Sequence, residues 1–143
     1  ADRIDVVTLG EGLVGIDAAT GTIRNRRFKP LNYVEGRIAG SCLLATLQDE
    51  GVRTLRSTNT LVGPPLGEVS EGFRHVIGSD CSSVLIEHTD GFPELLALPD
   101  LQTISLDDVR YLGPTAHVFW ARDVAYLLAK DGHTVTAIDL SRT

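Results

Sequence analysis

Hydrophobic positions along this chain fall into short bursts separated by glycine-bearing turns, and the bursts carry two different periods. Asp5-Val6-Val7-Thr8-Leu9 is an apolar strand that runs straight into Gly10, Gly12 and Gly15. Thr22 to Phe28 alternates as a strand does. Ser83-Val84-Leu85-Ile86-Glu87-His88 is also strand-like, and Thr89-Asp90-Gly91 marks a turn after it. By contrast, Val118, Ala121, Val124, Ala125 and Leu128 recur at helical spacing with Arg122, Asp123 and Lys130 opposite. That pattern predicts a helix stopped by Gly132, followed by a strand over His133 to Leu140. Residues Ala39 to Leu55 carry the same arrangement: Cys42, Leu43, Leu44 and Leu47 form the stripe, Gly51 the stop and Val52 to Leu55 the strand. Phe92 to Asp100 suits a strand or a short helix, and Ser105-x-x-Asp108 resembles a capped helix start.

Helix, glycine, strand is the returning half of a βαβ crossover, so the expected fold class is α/β. No low-complexity linker divides the chain, and 143 residues suit one domain spanning 1–143. The stiffest loop, Gly63-Pro64-Pro65-Leu66-Gly67, is the expected boundary between sub-layers, since two prolines continue neither a helix nor a ladder.

Composition narrows the partners. Hydrophobic residues at 43% and charged residues at 22% are globular values, and no apolar run approaches the roughly 20 residues of a membrane span. A net charge of −6 argues against nucleic acid, whose binding draws on clustered Lys and Arg. The one basic run, Arg24, Arg26, Arg27 and Lys29, reads as a charged edge strand. Cys42 and Cys81 lack metal or redox spacing and read as buried free thiols, with a cytoplasmic location as the expectation.

Candidate chemistry is sparse. Gly10, Gly12 and Gly15 match G-x-G-x-x-G, yet neither the following helix nor the acidic residue of a dinucleotide site is present. His75, His88, His117 and His133 are scattered, so no metal site is expected. Asp80-Cys81-Ser82-Ser83 lacks a nucleophile elbow and reads as a turn before a strand. Asp107 and Asp108 point apart and suit a helix start. Of Phe119 and Trp120, one reads as core and the other as a groove or interface residue suited to stacking.

Taken in order, Asp5 to Glu11 with Leu13-Val14, the segment Arg27-Phe28-Lys29-Pro30, the stretch Leu44 to Thr54 and the loop Val62 to Glu68 resemble the amino-terminal half of the PfkB (ribokinase-like) sugar kinases. Ser83 to Gly91 is similar to that family's second lid hairpin, and Leu127 to Arg142 to the helix and strand closing its sugar-binding half. The resemblance implies a small β lid on an α/β layer, with Gly10, Glu11, Gly12 and Asp17 lining a site for a sugar or sugar acid. It also implies lid-mediated contact with a partner or a second copy through Phe28, Tyr33, Leu85 and Phe92.

Departures from the family pattern are equally plain. Arg37, Ile38 and Cys42 stand where polar sugar-binding groups belong, and the glycines and base of the catalytic half do not occur before Thr143. The expectation is therefore a sugar-kinase-like module that is non-catalytic alone, has no catalytic residues and binds no cofactor. ATP and Mg would enter only if another chain completed a kinase. Two rival architectures fit parts of the sequence. Gly12 to Phe28 resembles a quinoprotein-type β-propeller blade with its turn at Ile16 to Gly21, and Val124 to Leu140 threads the same way around Asp131-Gly132. The last forty residues are also similar to STAS-type regulatory domains.

Overall fold

The computed structural model describes residues 3–8, 12–27, 32–58, 64–104 and 113–142. Among them run thirteen strands in four sheets, and every pairing is antiparallel. The first sheet holds β1 (Arg3–Thr8), β2 (Gly12–Asp17) and β3 (Ile23–Arg27). The second holds β4 (Tyr33–Ala39), β5 (Cys42–Asp49), β6 (Val52–Thr58) and β7 (Gly67–Val69). β8 (Phe73–Ser79), β9 (Ser83–His88) and β10 (Pro93–Ala97) make the third, to which Thr103 adds a single bridge at Leu96. β11 (Thr115–Ala121), β12 (Val124–Ala129) and β13 (Val135–Asp139) make the fourth, and a 3-10 turn at Leu140–Arg142 follows.

Each sheet is a run of consecutive hairpins, and the turns recur. Gly40, Cys81 and Arg122 occupy the first hairpin of the second, third and fourth sheets, while Gly51, Gly91 and Gly132 occupy the second hairpin. The spacing is about 40 residues, the period of a propeller blade. Aspartates close several of these turns. Asp17 Oδ1 accepts the amides of Ala19 (2.9 Å) and Thr20 (3.0 Å). Asp80 Oδ1 accepts those of Ser82 (2.9 Å) and Ser83 (2.8 Å), and Asp131 Oδ1 those of His133 (2.8 Å) and Thr134 (3.2 Å). The amides of His133 and then Thr134 hold the Asp131 carboxyl below its usual range.

The sheets stack face to face. Val84, Ile86 and Leu96 of the third sheet pack on Ala39, Leu44 and Leu55 of the second, with Phe73, Val76 and Leu101 completing that layer. From the opposite face of the third sheet, Leu85 and Leu95 meet Ala125 and Leu127 of the fourth, flanked by Val118, Trp120 and Ile138. Alternation along β9 sends neighbours to opposite layers, so both faces of this strand are buried. Three glycines mark the closest approaches, and a Cβ on Gly67 would stand 2.4 Å from the Asp100 carbonyl. A Cβ on Gly40 would stand 2.9 Å from the Cys81 carbonyl oxygen, and one on Gly78 would stand 2.6 Å from Val118 Cγ1.

The α/β expectation is overturned, because one supposed helix is a hairpin of two strands and the other is a single strand. Residues 118–128 form the β11–β12 hairpin, with Phe119 opposite Tyr126 and Trp120 opposite Ala125. Arg122 takes a φ of 56°, a left-handed value that no α-helix accommodates. The helical stripe was a coincidence of two faces: Val118 and Ala125 point inward, whereas Ala121, Val124 and Leu128 share the opposite face. Cys42 to Leu47 is a strand buried on both sides, and such a continuous apolar run fits either period. Leu85 is fully buried between the third and fourth sheets, so it offers no lid contact. Ser105 to Asp108 and Gly63 lie outside the described residues.

Candidate functional site

The described residues frame a cleft of about 640 Å³ where the β5–β6 turn of the second sheet meets the start of β8 and the β9–β10 turn of the third. Its size is that of an ordinary ligand site. Glu50 and Gly51 both take positive φ, 47° and 83°, the geometry of a tight two-residue hairpin turn. That turn delivers Val52 and Arg53 to the cleft wall, and Val52 is 55% exposed. Phe73, Arg74 and Thr89 come from the facing sheet and its turn, and Ser70 from the segment after β7. Arg53 reaches across the sheet boundary: its Nη1 donates to the Arg74 carbonyl at 3.0 Å and its Nε to Gln48 Oε1 at 3.4 Å.

Behind this wall lies a buried carboxylate. Glu87 is 1% exposed, on the face of β9 that meets the fourth sheet. A lone buried carboxylate is costly, and this one gathers two cations and an imidazole from three directions. Lys130 Nζ donates to Oε1 at 3.1 Å and Arg74 Nη1 to the same oxygen at 3.5 Å. His75 Nε2 stands 3.2 Å from Oε2 without the alignment of a hydrogen bond. Lys130 belongs to the turn after β12, so the cluster ties the fourth sheet to the third. A second polar group joins Thr103 Oγ1, which donates to Glu94 Oε1 at 2.6 Å, to His88, whose Nε2 meets Glu94 Oε2. The carboxylate stands in the middle here. Activating a nucleophile requires the imidazole in that position, so these three residues fasten a sheet edge rather than generate an alkoxide.

The fourth sheet has a third feature. Its inner face packs on the third sheet, whereas the outer face carries Phe119, Tyr126 and Ala137 in one cross-strand row and His117, Leu128 and Val135 in the next. Phe119 is 57% and Val135 59% exposed. The Phe119 and Tyr126 rings stack with centroids 5.0 Å apart and planes 12° from parallel. Solvent-facing strand positions usually carry polar side chains, and a contiguous apolar set marks an interaction surface.

The residues expected to bind substrate or partner do not converge on these features. Gly10, Glu11 and Phe28 lie outside the described residues. Gly12 starts β2 opposite Thr8, and Asp17 caps the β2–β3 turn with its carboxylate on two backbone amides. Tyr33 is half-buried on β4; burial, and then the Glu35 carboxylate, push its phenol above the ordinary range. Phe92 is 44% exposed in the β9–β10 turn. Cys42 is buried and Cys81 exposed, both as free thiols. Asp80 accepts the hydroxyls of Ser82 and Ser83, each at 3.2 Å, so that cluster is a stapled turn. Sequence reasoning passed over Arg53, Arg74 and Glu87. The available signal was Glu87 itself, one carboxylate directly after the apolar run Val84-Leu85-Ile86.

Comparison with known proteins agrees with the topology. Across 98% of its length the chain superimposes on the computationally designed Ika4 protein, at a TM-score of 0.58 and 14% identity, covering 86% of that chain. The fold is β-propeller-like. The computationally designed Ika8 protein matches over 96% of this chain at a TM-score of 0.55 and 15% identity. BamB from Moraxella catarrhalis matches over 99% at 0.53 and 15%. The chain spans 42% of Ika8 and 44% of BamB, less than half of either. No family model matches the sequence, and no curated protein does. These neighbours and the antiparallel sheets overturn the PfkB resemblance, since that family alternates strands with helices.

Proposed function

We propose that this chain is a β-propeller-like interaction scaffold that associates with a second copy of itself through the outer face of its fourth sheet. The observation that carries this reading is the exposed apolar rows of β11–β13, with Phe119 and Val135 more than half exposed. Continuity with the existing stack favours another sheet as the occupant. The second sheet packs on the third and the third on the fourth, each through an apolar face, and the outer face of β11–β13 is the next position in that series. A same-chain partner is supported by the match to Ika8 and BamB over less than half of their lengths, as an arc of a larger ring of sheets would give. Head-to-tail contact, the fourth sheet of one copy against the first of the next, would close such a ring.

Light scattering tests this. Twice the 15.4 kDa chain mass is expected at micromolar concentration. Replacing Phe119→Glu together with Val135→Lys is expected to halve the mass and leave the circular dichroism spectrum unchanged, because both side chains already face solvent within one copy. A wild-type chain that remains monomeric at high concentration contradicts the proposal.

A further inference from the structure

We infer that the cleft bounded by Arg53 and Arg74 is a binding site for an acidic, partly apolar peptide segment, with the two guanidiniums taking its carboxylates. This site lies on the boundary of the second and third sheets and is separate from the outer face of the fourth. Pairing around Glu87 is unequal. A single carboxylate there meets Lys130 at 3.1 Å, Arg74 at 3.5 Å and His75 at 3.2 Å. Lys130 holds the closer position, and Arg74, which lines the cleft, keeps its side chain 57% exposed with Nη1 alone set on Glu87 among the described residues. Arg53 carries its charge without any carboxylate: among the described residues its partners are the Gln48 amide and the Arg74 carbonyl. Two planar guanidiniums stand on neighbouring sheets, that of Arg53 anchored by its 3.0 Å bond to the Arg74 backbone carbonyl, and such groups suit planar bidentate recognition of carboxylates.

The rest of the lining selects among anions. The Ser70 and Thr89 hydroxyls supply neutral donors, while the exposed Val52 supplies an apolar contact that a small inorganic anion would not use. A volume of about 640 Å³ accommodates several residues rather than one ion. Glu50, Glu71 and Asp90 stand on the adjoining turns, and they favour a ligand whose carboxylates are seated inward with its apolar side chains toward the rim. The positive cleft within a chain of net charge −6 is thus a local device, and its attraction should weaken steeply with salt.

The experiment uses the full chain and three probes followed by fluorescence anisotropy and competition: a fluorescein-labelled, end-blocked peptide of alternating Glu and Val, its Gln-for-Glu counterpart, and inorganic phosphate as competitor. The Glu peptide is expected to bind and the Gln peptide to bind about tenfold more weakly or not at all. Arg53→Gln is expected to weaken the Glu peptide about tenfold without altering the fold, since Arg53 has only neutral partners. Lys130→Met provides a second readout from outside the cleft. Without Lys130, Arg74 becomes the principal cation of Glu87 and peptide binding should weaken, whereas a merely structural Lys130 would leave it unchanged in folded protein. Equal binding of both peptides, an unchanged affinity in Arg53→Gln, or displacement by phosphate at concentrations matching the peptide would overturn the assignment.

Discussion

Single side chains in this protein show which burials are compensated and which are not. Glu87 is buried but paired with Lys130 and Arg74, whereas the Tyr33 hydroxyl is buried with no hydrogen-bond partner among the described residues. An unpartnered buried hydroxyl costs about 1 kcal/mol or more, so Tyr33→Phe is expected to stabilise the fold by about that amount in urea denaturation. The same site carries a pH signature. Burial, followed by the nearby Glu35 carboxylate, holds the Tyr33 phenol above its usual value of about 10, so the folded state retains the proton that the unfolded chain gives up. Its contribution is therefore complete below the unfolded phenol value and is lost as the pH rises through the folded one. Wild type should lose stability on that alkaline limb more steeply than Tyr33→Phe; parallel limbs would show that Tyr33 is solvated. Neither Tyr33 nor Glu87 could be placed from sequence, because whether a polar group is satisfied depends on which sheet covers it.

At the level of elements, hairpins carry the architecture, and their turns were more legible than their strands. The strand at Ser83 to His88 and the turn at Gly91 after it are visible in the sequence, whereas Gly51 and Gly132, expected to end helices, sit in hairpin turns. The two supposed helices were not separable from strands. Cys42 to Leu47 has no period because both faces are buried, and Val118 to Leu128 acquires a false helical stripe because a two-residue turn at Arg122-Asp123 shifts the alternation between β11 and β12. Asp131-Gly132 was the better guide, and the propeller reading that used it is the one the sheets support. Packing between elements gives a direct test. Gly78 of β8 lies against Val118 and Trp120 of β11, where an added Cβ would stand 2.6 Å from Val118 Cγ1. Gly78→Ala should force the third and fourth sheets apart and cost about 1–3 kcal/mol in thermal or chemical denaturation. A neutral effect would mean that the two sheets do not meet there.

On the scale of the molecule, stacking order decides which surfaces remain for binding. The third sheet is covered on both faces, the fourth on one, and the Arg53–Arg74 cleft opens where two sheets meet at their turns. Fold was legible only as an alternative reading of two segments, Gly12 to Phe28 and Val124 to Leu140, since stacking is set by contacts between residues about 40 positions apart rather than by local period. The binding surfaces were less legible still: Phe119 was singled out, but nothing in its local pattern shows that Tyr126 and Val135 share its face. Residue-resolved amide hydrogen exchange of the intact chain tests this stacked antiparallel arrangement most directly. Protection is expected to peak along β9, Ser83–His88, with both layers covering it, and to fall at Arg122 and Asp123 between two protected strands. Continuous protection from Val118 through Arg122 and Asp123 to Leu128, with β9 exchanging early, would contradict it and restore a helix where the structure has a hairpin.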